Sequence, residues 1–336
     1  FANGVTDDGL IALTNLEKLK HLQINAIDMT TKSIRELASS LKHLEMLSLF
    51  SAKATDIAGI ENMERLTTLE LNFPRMTHPD LSRLKTLPNL KTLKISIPFN
   101  ADESIKSLKA PPSLESLDLS QSDLTDEGIK LLQSLKELRH LRIVSRNMSS
   151  ECFESIASLQ KLDTLDIAFM TAEQTIVPEK FKYLRSLSKL ARVNIFCFKL
   201  TDECLKQLAA LEQISELTLG SVEYIEFTSS GLHELHRMKN LKRLSLGRNL
   251  TQADMDELVK LASLESLILK NSNINNVQLM RIASMKDLKH LEFQSSRISK
   301  QDIEQLIKSW PGEIVLRDYD PNHSIVDFYK RTVSTD

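Results

Sequence analysis

The phrase Leu-x-Leu, or a close variant, recurs along the chain with a period near 24 residues. Its first positions are Leu22, Leu47, Leu69, Leu93, Leu117, Leu141, Leu165, Val193, Leu217, Leu244, Leu267 and Leu291, with Ile314 as a weaker thirteenth. A fixed period of this size marks a solenoid and takes precedence over any element-by-element reading. One unit has an apolar face that it cannot bury alone, and stacking units buries it against neighbours. Each leucine buried in this way stabilises the fold by about 1.5–3 kcal/mol. The repeated leucines are therefore structural.

Within one unit the apolar residues Ile129, Leu132, Leu135, Leu138 and Leu141 fall every third position. A helix turns about 100° per residue, so three-residue steps drift by about 60° and five of them leave a single face. The backbone must change state partway. The pattern predicts a short helix over 126–135, a turn near Leu138 and a strand over 140–144. Helix starts are signalled by Thr6, Thr30, Thr77, Thr125, Ser149, Thr201, Thr228, Thr251, Asn275 and Ser299, whose side chains can accept from a first-turn amide. Acids follow at once in "TDDG", "TDEG" and "TDEC", where they complement the helix dipole. Three units depart from this pattern: "KATDIAGI", "FNADESI" and "TIVPEKF", the last with Pro178 at a first helical position.

From Val5 to about Leu316 these features resemble the leucine-rich repeat family. "LTDEGI" and "LTDECL" are similar to its ribonuclease-inhibitor-like and cysteine-containing types, found in F-box adaptor proteins and in bacterial proteins. The resemblance implies an α/β solenoid, a horseshoe of about 13 strand-helix repeats with parallel strands on the concave face and helices on the convex face. The family often places Asn three residues past the second Leu. Here only Asn249 does so, with Ser122, Ser272, Ser296 and Ala52 elsewhere and Pro74, Pro98, Met170 and Phe198 in irregular units. The expected organisation is a solenoid over 1–317, with its first repeat incomplete, and a capping tail over 318–336. Trp310, Ile325, Val326, Phe328 and Tyr329 are the expected cap residues. The partial first repeat leads us to expect a longer polypeptide.

A formal charge of −2 with 26% charged residues offers no basic footprint for nucleic acid. No apolar run is long enough to span a membrane. The three cysteines Cys152, Cys197 and Cys204 are an odd number without a pairing pattern, which favours a reducing, cytoplasmic compartment. No phosphate loop or nucleophile elbow is present. "HELHRM" places His233 and His236 three apart, not the four of a zinc-protease helix, so solvated histidines are expected. Neither an enzymatic activity, a cofactor nor a metal is expected.

The residues between the two apolar positions of successive phrases read Glu70, Lys94, Asp118, Arg142, Asp166. In-register parallel strands set them side by side as an alternating charge ladder. One position before the phrase, Arg192, Glu216 and Arg243 alternate too. Phenylalanines gather near strand ends: Phe50, Phe73, Phe169 and Phe196 are expected at concave or rim positions and Phe198 in the core. Two long units, 168–181 and 221–232, are expected to bulge on one rim and to carry Phe169, Met170, Tyr224 and Ile225 there. The candidate partner-binding residues are therefore Phe50, Phe73, Arg142, Asp166, Phe169, Met170, Arg192, Glu216, Tyr224 and Arg243. The function expected is recognition of a protein partner through the concave face and one rim. The alternative is the substrate-recognition part of an F-box ubiquitin ligase, or the sensor arm of a larger signalling enzyme.

Overall fold

Every one of the thirteen phrases lies in a strand of the computed structural model, which describes residues 6–76, 80–109, 111–172, 174, 176–221, 226–272, 274–294, 298–318 and 326–328. The chain forms two compact units, Phe1–Met170 and Thr171–Asp336. In the first unit the strands are β1 (His21–Asn25), β2 (Met46–Phe50), β3 (Thr68–Asn72), β4 (Thr92–Ser96), β5 (Ser116–Ser120), β6 (His140–Ser145) and β7 (Thr164–Phe169). Each is parallel to the next, in chain order. In the second unit β8 (Arg192–Cys197), β9 (Glu216–Ser221), β10 (Arg243–Leu246), β11 (Ser266–Lys270), β12 (His290–Gln294) and β13 (Glu313–Asp318) repeat the arrangement. The short β14 (Val326–Phe328) adds antiparallel to β13. Both units are leucine-rich repeat solenoids.

Between strands lies a second layer of short helices. In the first unit these are α1 (Asp7–Ile11), α2 (Thr31–Ser40), α3 (Ala101–Ser107), α4 (Asp126–Leu131) and α5 (Cys152–Ile156). In the second they are α6 (Asp202–Leu208), α7 (Ser229–Glu234), α8 (Gln252–Leu258), α9 (Asn276–Ala283) and α10 (Lys300–Ser309). Neighbouring helices pack on one another within each unit, with the 3-10 turns Ile60–Asn62 and Leu81–Thr86 standing between α2 and α3. The predicted change of backbone state is real: α4 ends at Leu131, a 3-10 turn covers Leu132–Ser134, and β6 follows. The irregular units use 3-10 turns instead, at Ile60–Asn62 and at Pro178–Ser186, where Pro178 takes the first position. The third, "FNADESI", forms α3 behind Asn100, whose φ of 52° is left-handed.

The core lies between strands and helices. Leu69, Leu93, Leu117, Leu141 and Leu165 are buried, as are Leu217, Leu244, Leu267 and Leu291. In β1, by contrast, Leu22 and Ile24 are only half-buried.

Thr30, Thr125, Thr201, Thr228, Thr251, Asn275 and Ser299 cap their helices as expected. Thr6 makes no side-chain cap bond, Thr77 lies outside the described residues, and Ser149 accepts from Glu151 N at 3.1 Å just ahead of α5. The acid after the cap has a role beyond the helix dipole. Asp7, Asp102, Asp126 and Asp202 each accept two hydrogen bonds from the capping residue of the next repeat, one from its backbone N–H and one from its hydroxyl. Where the preceding repeat has no such acid, the cap is satisfied locally. Thr251 donates to Asp254, and Asn275 N–H donates to Gln278, each closing a capping box.

The expected asparagine ladder is served by serine in several repeats. Ser122 Oγ accepts from Ile97 N, and Ser272, Ser51 and Ser145 donate to Arg248 O, Met29 O and Leu124 O of the preceding repeat. In two of these repeats the position is one residue earlier than expected, so Ser51, not Ala52, takes part.

Candidate recognition surface

Parallel pairing without offset carries the charge alternation of the sequence directly onto the face of the first unit's sheet opposite the helices. The Cα register is Glu70↔Lys94↔Asp118↔Arg142↔Asp166. Side chains alternate across a strand, so these residues face out while their leucine neighbours face the core. Lys94 and Arg142 are exposed, and Glu70, Asp118 and Asp166 are half-buried. The ladder is only partly paired with itself. Arg142 Nε is 3.9 Å from Asp118 and donates to Ser120 Oγ at 3.0 Å. Ser48 Oγ donates to Glu70 at 3.2 Å. Asp118 accepts from Ser120 N at 2.8 Å. Lys94, flanked by two carboxylates in register, makes no ion pair among the described residues.

Glu70, Lys94, Asp118 and Arg142 line a shallow groove of about 420 Å³ that runs from Gln23 and Asn25 on β1, past Ser48, Phe50 and Asn72, to Asp118 and Arg142. Phe50 is half-buried on this face, as expected. A second recess at the strand ends holds Met170, half-buried, with Pro98, Asp123, Arg146 and Asn147.

Phe73 and Phe169 are not surface anchors. Both are fully buried, and Phe169 packs edge-on against Phe153 with ring centroids 6.2 Å apart. The physical reason is parity: Leu69, Leu71 and Phe73 fall on one side of the strand path, as do Leu165, Ile167 and Phe169. The opposite parity puts Phe50 and Phe196 outward. Phe198, expected in the core, is half-exposed because Cys197 takes the inward place. Tyr224 and Ile225 lie outside the described residues. The long segment 168–181 does not simply bulge, since Gln174 and Ile176 are buried.

In the second unit Arg192↔Glu216↔Arg243 stand in register on β8, β9 and β10, with Arg243 exposed and the other two half-buried. Four residues further along the strands, Phe196 is paired with Gly220 and 37% exposed. A Cβ at position 220 would run into that ring, so the glycine makes room for an outward aromatic.

No metal-ligand set was expected, yet one group of donors does assemble on the helical side of the second unit: His233, His236 and Glu257. Glu257 is one repeat on from His233, so the signal was the period itself, applied to the helices as well as the strands. The three cysteines are buried and unpaired. Burial pushes the thiols of Cys152 and Cys204 up, and that of Cys197 up to about 12.

No family model and no curated protein matches the sequence. Among solved structures the chain is similar to an internalin from Listeria monocytogenes, with a TM-score of 0.55 and 22% identity, over 91% of this chain and 82% of that one. The likeness is one of fold, a sheet of parallel strands alternating with helices.

Proposed function

We propose that the chain is a non-catalytic module that recognises a protein partner through the open face of the first unit's sheet. The observation that carries this reading is the groove lined by the Glu70–Arg142 ladder, in which Lys94 stands in register between two carboxylates without an ion pair among the described residues. A surface whose charges served only each other would pair them all. Here the ammonium is left for a carboxylate from outside, with Phe50 elsewhere in the same groove as an apolar contact. Charged rims of this kind set specificity and association rate more than affinity. Arg192, Glu216 and Arg243 would extend recognition on the second unit, and Met170 would contribute from the strand-end recess. The internalin-like fold supports protein recognition as the general task. "LTDEGI" and "LTDECL" support the ribonuclease-inhibitor-like repeat type.

The test is charge reversal at Lys94 and Arg142. The full chain bearing K94E and R142E, and the wild type, are immobilised and probed for protein partners, and the affinity of each captured partner is measured. The double variant should bind at least about 10-fold more weakly, with a melting temperature close to wild type, because both side chains are exposed and such pairs are worth about 0–1 kcal/mol. Equal affinities would move the interface elsewhere.

A further inference from the structure

His233 stands near the end of α7, and His236 follows in the 3-10 turn Leu235–Arg237. Three-residue spacing places both rings on one side of this helical path. Their ring centroids are 4.8 Å apart. Across from them, on α8 of the next repeat, is Glu257. Its Oε2 lies 2.9 Å from His233 Nδ1 and 3.4 Å from His236 Nε2, and the three donor atoms all fall within 4.8 Å of one another.

We infer that His233, His236 and Glu257 form a binding site for a divalent transition-metal ion of the zinc type, joining two adjacent repeats. Zinc bonds to imidazole nitrogen and carboxylate oxygen at about 2.0–2.2 Å, so a tetrahedral ion spaces its donors by about 3.3 Å. Both nitrogen–oxygen distances are already close to that value. Only the two imidazole nitrogens must draw closer, which a small rotation of the exposed His233 ring supplies. The other carboxylate oxygen, Oε1, is held by Lys260 Nζ at 2.7 Å. Lys260 therefore orients the carboxylate and leaves Oε2 for the ion, the task of an outer-shell partner.

In the present arrangement His236 Nε2 also lies 2.9 Å from the Glu257 carbonyl oxygen. Binding exchanges that contact, and the proton on it, for the ion. Two imidazoles and one carboxylate favour zinc, copper or nickel over magnesium or calcium, which prefer all-oxygen sites. The fourth position faces solvent, because the His233 side chain is 65% exposed, and would hold water. Metal binding by the buried thiols would require ionising groups that burial keeps protonated, so the three cysteines are not competitors.

The untagged full chain should be titrated with zinc chloride at neutral pH by calorimetry, with melting temperature followed in parallel. The site predicts saturable binding of one ion per chain and a higher melting temperature with zinc. His233→Ala and Glu257→Gln should each weaken binding by at least about 10-fold, the size of effect that even an outer-shell group has. His43→Ala, an exposed histidine in the first unit, should bind as wild type. The exposed position of His233 keeps its variant folded, so H233A decides the matter if E257Q is unstable. Absence of saturable binding in the wild type would overturn the site, as would full affinity and a full melting-temperature rise in H233A.

Discussion

Gly128 and Gly9 occupy the same place in "TDEG" and "TDDG", yet their surroundings differ. A Cβ on Gly128 would run into Asp102 Oδ1, the carboxylate arriving from the preceding repeat. Around Gly9 an added Cβ meets nothing within 4 Å. Gly231 shows the crowded version, with its N–H donating to Asp202 at 3.1 Å, and Ser33 uses the space to donate its own hydroxyl to Asp7. Gly128→Ala should therefore cost about 1–3 kcal/mol by overpacking. Gly9→Ala should be neutral or stabilise by up to about 1 kcal/mol, since alanine is the better helix former. Urea melts of the two variants check this, and equal effects would refute the cross-repeat carboxylate. At this scale the sequence was readable wherever strand parity was applied strictly. Phe50 and Phe196 face outward on that rule, and Phe73 and Phe169 would have been assigned to the core by the same rule. The role of Asp102 was not readable, because it depends on how one repeat meets the next.

Elements are joined at the strand entrances as well as through the caps. The residue just before each strand carries charge in several repeats, and stacking pairs these residues: Lys20 with Glu45 at 2.8 Å, Glu115 with Arg139 at 3.8 Å, and Glu265 with both Lys242 at 2.9 Å and Lys289 at 2.8 Å. Hydrogen bonds from Lys289 and Lys242 hold the Glu265 carboxyl down to about 2, from an ordinary value of 4.5. The folded form therefore prefers the ionised carboxylate. Its contribution is fully present above pH 4.5 and is lost as pH falls towards 2. Comparing wild type with Glu265→Gln in urea melts over a pH series, the gap in midpoint should be constant near neutrality and close in that acid window. It should also shrink in high salt, because all three groups are at the surface. A gap that ignored pH would mean that Glu265 acts through packing alone. The capping residues themselves were legible as Ser, Thr and Asn at a fixed phase. Which of them rely on the previous repeat and which on a local capping box follows only after stacking is known.

A whole molecule of this kind is stabilised by nearest-neighbour interfaces, so damage spreads outward from where it is made. Leu141 is buried in β6, and an aspartate there is an uncompensated charge in the core. Leu141→Asp should strip hydrogen-exchange protection from β5, β6 and β7, with a smaller loss towards β1. Arg142→Ala, one residue on and outward, should cost under about 1 kcal/mol and leave protection intact. Equal losses would contradict the strand parity on which the ladder rests.

The carboxylate that reaches forward to the next cap also gives the array a syntax, because neighbours must agree on who supplies the acceptor. Excising residues 125–148 would set Asp102 beside Ser149, whose N–H and hydroxyl already expect an aspartate, now from Asp126. The junction reads correctly, with Cys152 as the one side chain to be fitted. Excising 228–250 instead would set Asp202 against Thr251, whose N–H and hydroxyl are already taken by Asp254 of its own repeat. Two carboxylates would then contend for one pair of donors. The first shortened chain should fold and melt cooperatively, and the second should be markedly less stable, although each loses one repeat. The repeats are similar in shape but do not commute, and any shuffling of them must preserve the order in which donors meet acceptors.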